Sequence, residues 1–88
     1  MASYRIEVKK SVFKDLEKFN KSIVSQLFRG MGSLSKNPRP AQSLKLSGSE
    51  RSYRLRIGKY RILYQIDEKL KVVTVFAVGH RKDVYRNI

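Results

Sequence analysis

The amino-acid sequence predicts an α+β fold of one strand, two helices and three further strands, with the helical hairpin covering one face of an antiparallel sheet. Three observations carry that expectation. Apolar residues alternate over residues 4–8 and again over residues 53–57, the period of a half-buried strand. Between these stretches they recur every three or four positions, the period of an amphipathic helix. The last apolar run, residues 72–78, is dense in β-branched valines, which favour a pleated sheet. A chain of 88 residues builds one hydrophobic core, so residues 1–88 are expected to form a single domain.

In the first strand Tyr4, Ile6 and Val8 share one side and Arg5 and Glu7 the other. Ser11 is the expected N-cap of a first helix carrying Val12, Leu16 and Phe19. Asn20-Lys21-Ser22 interrupts it with capping residues. A second helical stripe of Val24, Leu27, Phe28, Met31 and Leu34 then runs to Asn37-Pro38. Gly30 and Gly32 each weaken that helix by about 1 kcal/mol relative to alanine. Residues 38–50 hold two prolines, three serines and a glycine around Leu44 and Leu46, and read as a loop anchored by two apolar side chains. Residues 53–57 and 60–66 flank Gly58-Lys59, a two-residue turn, and form a β-hairpin. Asp67-Glu68-Lys69 turns the chain into the last strand, which Gly79 ends, leaving residues 80–88 for a short turn or helix.

Composition removes several classes of chemistry. With no cysteine there is no disulfide scaffold, zinc knuckle or thiol nucleophile, and one histidine makes no metal site unaided, so no metal or other cofactor is expected. Neither a hydrophobic N-terminal segment nor a long apolar run is present, so no membrane partner is expected and the expected location is the cytoplasm. Charge points elsewhere: 20 Lys and Arg against 7 Asp and Glu give +13. Self-repulsion of that size works against the compact state and favours a polyanionic partner, a nucleic acid, a ribosome or an acidic protein.

The hairpin concentrates that charge. A turn at Gly58-Lys59 fixes the register, setting Arg56 opposite Arg61 and Arg54 opposite Leu63. Tyr53, Leu55, Ile57, Tyr60, Ile62 and Tyr64 then form the face that the helices bury, and Arg54, Arg56, Arg61, Leu63 and Gln65 form the other. Like charges directly opposite destabilise a sheet by a few tenths of a kcal/mol up to about 1, and residues 51–65 contain no acid to offset them. Such a local conflict marks a binding or catalytic site, although long basic side chains also suit a solvated sheet face. Guanidinium, planar with five fixed donors, grips phosphate oxygens bidentately where lysine offers a point charge.

The segment Gly79-His80-Arg81-Lys82-Asp83-Val84-Tyr85 leaves the last strand and is expected to lie close to this basic face. His80 titrates near neutrality when unperturbed. Tyr85 can cap the core with its ring, or stack on a base and move a proton through its hydroxyl.

Across nearly its whole length the chain resembles the RelE/ParE superfamily of bacterial and archaeal toxins, and within it the RelE-like messenger-RNA endonucleases. The likeness rests on the helical hairpin ending in Asn37-Pro38 and on the Leu44-Lys45-Leu46-Ser47-Gly48 connector. Above all it rests on residues 53–64, YRLRIGKYRILY, followed by residues 78–85, VGHRKDVY. The resemblance implies a toxin of a type II toxin–antitoxin system that cuts mRNA in the ribosomal A site, without a metal, by attack of the ribose 2′-hydroxyl on the adjacent phosphorus. It implies a cognate RelB-like antitoxin as partner. Arg61 and Arg81 would neutralise the scissile phosphate, Arg54 and Arg56 would hold the family's basic strand positions, with Lys59 and Lys82 beside them, and Tyr85 would stack on the substrate or exchange protons with it. Well-known members carry lysines where this chain has Arg54 and Arg56, and arginine, with a pKa above about 12, is no general base. His80, then Tyr85, are the remaining candidates for that role. ParE-like members share the scaffold but poison DNA gyrase without catalysis, and a non-enzymatic basic RNA-binding module is a third reading.

Overall fold

In the computed structural model, which describes residues 3–80, the chain runs β1 (Arg5–Val8), α1 (Lys10–Leu16), α2 (Lys21–Ser33), β2 (Ser43–Lys45), β3 (Ser52–Ile57), β4 (Tyr60–Asp67) and β5 (Val72–His80). The strands form one sheet in the spatial order β1-β5-β4-β3-β2. The α+β expectation holds, with α1 packed on β5 and α2 on β3.

Three features of the sheet depart from expectation. β1 runs parallel to β5, so the sheet is mixed rather than antiparallel. Short turns impose antiparallel pairing only on consecutive strands, and β1 meets its partner from the far end of the chain. A further strand, β2, pairs antiparallel with β3 inside the stretch read as a loop. It is three residues long, and the open edge of β3 supplies its hydrogen bonds rather than any pattern of its own. Gly79 does not end β5, which continues through it to His80 and keeps pairing with β4.

The hairpin register is the one the turn dictates: Arg56 pairs with Arg61, Leu55 with Ile62 and Tyr53 with Tyr64. Gly58 has φ +58°, the positive value a type II′ turn places at its first central residue. Under the helices Leu27, Met31 and Leu34 of the α2 segment pack with Leu55, Ile62 and Tyr64 of the sheet. Each fully buried aliphatic side chain of this kind contributes about 1.5–3 kcal/mol. The Tyr64 hydroxyl, carried into this core, donates to the Pro38 carbonyl at 2.7 Å. Burial pushes its pKa up, because the phenolate would lose its water.

Helix ends follow local chemistry unevenly. Asn20 caps α2, its side chain accepting the Ile23 N–H at 3.0 Å. Ser11 is not the cap of α1: the helix starts at Lys10, the cap position is Lys9, and no side chain bonds the first turn. α2 runs through both glycines. At Gly30 a Cβ would lie 2.8 Å from Ile57 Cδ1 and 3.3 Å from Ile62 Cδ1, so the missing methyl is what lets the helix approach the sheet. Phe28, assigned to the buried stripe, is instead exposed beside Phe13 with ring centroids 6.3 Å apart.

Candidate functional site

Arg54, Arg56 and Arg61 stand on the sheet face turned away from the helices, because they alternate with Leu55, Ile62 and Tyr64 of the core. Arg56 is exposed, Arg54 half-buried and Arg61 buried at 5% exposure, its Nη1 donating to the Tyr60 carbonyl at 3.1 Å. Directly across from Arg61 on β5 is Gly79, which presents no side chain to that face.

That pairing depends on a bulge. β5 carries one residue more than β4 between Leu63 and Tyr64: Leu63 pairs with Ala77, Tyr64 with Val75, and Phe76 is the extra residue. Val75 and Val78 therefore both reach the helix-side core, while Ala77 packs with Leu63 on the opposite face. Without the extra residue the alternation of Val73 and Val75 would carry Ala77 and Gly79 to the helix side. With it, Gly79 lies beside Arg61, and His80 lies opposite Tyr60.

His80 accordingly does not join the arginines. Its ring meets Tyr60 edge-on at 5.9 Å, and Tyr60 meets Phe19 edge-on at 5.1 Å, an aromatic chain on the helix side of the sheet. Lys59 is exposed at the tip of the hairpin. Arg81, Lys82 and Tyr85, and the expected C-terminal turn or helix, lie outside the described residues.

Periodicity alone did not reveal two further features of the arginine face. Its middle is apolar: Leu63 and Ala77 are buried there and Leu46 and Phe76 pack against them, so one of the two expected loop anchors is met. Leu44 is not an anchor, being 55% exposed on the edge strand. Beyond this floor a polar row crosses four strands, with Glu7 paired to Thr74, Thr74 to Gln65 and Gln65 to Ser52.

At the β4–β5 turn a separate group is structural. Glu68 accepts from the Tyr4 hydroxyl at 2.7 Å and from Arg39, and Lys71 approaches it at 3.6 Å. Arg39 also donates to the Tyr53 hydroxyl at 3.1 Å. The Tyr4 hydrogen bond, then Arg39, hold the Glu68 carboxyl below the usual carboxylate range, while Tyr53 and Glu68 raise the Arg39 pKa further. Among the described residues no group of three or more His, Cys, Asp or Glu is placed to hold a metal ion, and no helix is long and apolar enough to cross a membrane.

Comparison with known proteins places this geometry. The family model of the ParE toxin of type II toxin–antitoxin systems matches residues 6–85. The chain is 32% identical to the toxin RelG of Mycobacterium tuberculosis, covering 94% of this chain and 97% of that one. It is 29% identical to a putative toxin, RelE1, of Methanocaldococcus jannaschii, covering 96% and 97%. The archaeal RelE–RelB complex of Pyrococcus horikoshii contains a chain that superposes with a TM-score of 0.80 at 28% identity, covering 96% of this chain and all of that one. Family match and shared fold agree, and the chain belongs to the ParE toxin family of type II toxin–antitoxin systems as a RelE-like toxin.

Proposed function

We propose that this toxin is a ribosome-dependent mRNA endoribonuclease that a RelB-like antitoxin holds inactive. The observation that carries the reading is the buried guanidinium of Arg61 directly across from Arg56, on a face that also holds Arg54. Attack of a ribose 2′-hydroxyl on the adjacent phosphorus adds negative charge to the phosphoryl oxygens. Fixed guanidinium groups therefore stabilise the transition state more than the ground state, an effect worth roughly 10²–10³ in rate per donor.

In this reading Arg61 and Arg81 neutralise the scissile phosphate, Arg54 and Arg56 hold the strand that leads to it, and Lys59 and Lys82 add long-range attraction. Proton transfer falls to Tyr85 ahead of His80, whose ring is engaged with Tyr60 on the other face. A general base adds about 10²–10⁴, so the arginines and the ribosome's positioning of the message carry much of the reaction. An acidic antitoxin segment laid over the basic face would neutralise it, and the similar RelE chain is found in complex with RelB.

The test is expression of the toxin without its partner, with 5′ ends of translated messages mapped. New ends are expected, and Arg61→Ala is expected to reduce them by roughly 10²–10³. Intact messages together with inhibited gyrase supercoiling would establish a gyrase poison instead. Intact messages with RNA binding that weakens steeply with salt would leave a non-enzymatic RNA-binding module.

A further inference from the structure

At the end of the arginine face remote from the hairpin turn lies a hollow of about 200 Å³ bordered by Arg5, Glu7, Arg51, Gln65, Asp67 and Thr74. We infer that this hollow is a base-reading subsite, which takes one nucleobase of the bound RNA and prefers adenine or cytosine, the bases with an amino group beside a ring nitrogen; the inference rests on the nuclease reading above and adds the residues that choose where the message is cut.

Charge separates the two ends of the face. The Arg54, Arg56 and Arg61 end is purely cationic and suits phosphate, whereas the hollow balances two arginines with two carboxylates and offers donors and acceptors together. Arg5 is already paired with Glu7 at 3.2 Å, and one Asp67 oxygen accepts the Leu70 N–H at 2.9 Å, so part of that charge is spent within the chain. Mixed hydrogen-bonding capacity without net charge is what distinguishes base-edge recognition from backbone attraction.

The row Glu7, Thr74, Gln65 supplies the reading groups. Thr74 is the one polar side chain in residues 72–78, and it sits directly across from Gln65 and from Glu7. The Gln65 carboxamide presents a donor and an acceptor side by side, the pair that matches the amino group and adjacent ring nitrogen of adenine and of cytosine. Neighbouring carboxylates repel the carbonyl oxygens that uracil and guanine carry at the same edge. Clefts for drug-sized ligands run to about 300–1,000 Å³, so this smaller hollow suits a single ring system. Gln65 is four residues along β4 from Arg61, about 13 Å at 3.3 Å per residue, so the base read and the phosphate held are a fixed, short number of nucleotides apart. The apolar floor of Leu46, Leu63 and Phe76 lies between them.

The experiment maps cleavage on messages randomised around the cut, and reads the ratio of cutting for the four bases at each position. Wild-type toxin is expected to favour adenine and cytosine over guanine and uracil at one fixed offset by about 5-fold or more. Gln65→Leu is expected to flatten that ratio, and Thr74→Val to reduce it. Both positions face outward from the helix-side core, and retained antitoxin binding confirms that each variant folds. A flat wild-type profile, or an unchanged ratio in both variants while cutting persists, overturns the inference and leaves the nuclease reading standing. Absence of any cutting by wild-type toxin overturns the nuclease reading and this subsite with it.

Discussion

Arg56 and Arg61 face each other directly across the β3–β4 hairpin, a like-charged pair in a stretch without acidic residues. Function and stability should therefore pull apart here. Arg56→Gln removes the repulsion and is expected to raise Tm by about 1–3 °C. The same change should reduce the salt slope of single-stranded RNA binding by about 0.7. Thermal unfolding and a salt titration of RNA affinity check the two halves independently.

The two glycines of α2 should respond oppositely to alanine. At Gly32 a Cβ meets nothing within 4 Å, so Gly32→Ala gains helix propensity and is expected to stabilise by about 0.5–1 kcal/mol. At Gly30 the same methyl would come within 2.8 Å of Ile57 Cδ1 and 3.3 Å of Ile62 Cδ1, and because Ile62 is fully buried with little room to yield, overpacking of about 1–3 kcal/mol exceeds the propensity gain. Gly30→Ala is thus expected to lower stability by about 1 kcal/mol, as read from denaturant midpoints.

Tyr64 ties the core to the loop after α2 through the Pro38 carbonyl. Tyr64→Phe leaves that carbonyl without its donor and is expected to cost about 1–3 kcal/mol. The pH response has a definite sign. The folded pKa lies above the unfolded value near 10, so the stabilisation is complete below about pH 10 and is lost as pH rises through the folded pKa. Alkaline unfolding of wild-type toxin should be steeper than that of Tyr64→Phe.

At the acid end Glu68 governs. Its folded pKa is depressed, so its contribution is present above the unfolded value near 4.3 and fades as pH falls through the lower folded one. The carboxylate is exposed and the effect correspondingly small. Glu68→Gln should lower Tm at pH 7 and flatten the acid arm of the stability profile, which calorimetry between pH 2 and pH 7 would register.

Local chemistry made much of this legible in advance. Gly58-Lys59 fixed one register and, through it, the three arginines on one face, since a hairpin turn leaves no freedom in pairing. Non-local effects stayed hidden. The parallel partner of β1 lies about seventy residues away in the chain, β2 exists because β3 offers it an edge, and the bulge sits among residues 75–78, which hold no polar side chain to mark either face. Grouping His80 with the arginines followed from ending the last strand at Gly79, whereas the strand continues past the Phe76 bulge and carries His80 to the helix side beside Tyr60.

Phe76 works as a frame shift in space. Most replacements at that position would alter one side chain, whereas its removal would reassign Ala77, Val78, Gly79 and His80 to the opposite surfaces of the sheet in a single step. An arginine grip beside a bare glycine therefore survives many exchanges of letter but not the loss of one. Length, more than identity, is the quantity this part of the strand must conserve.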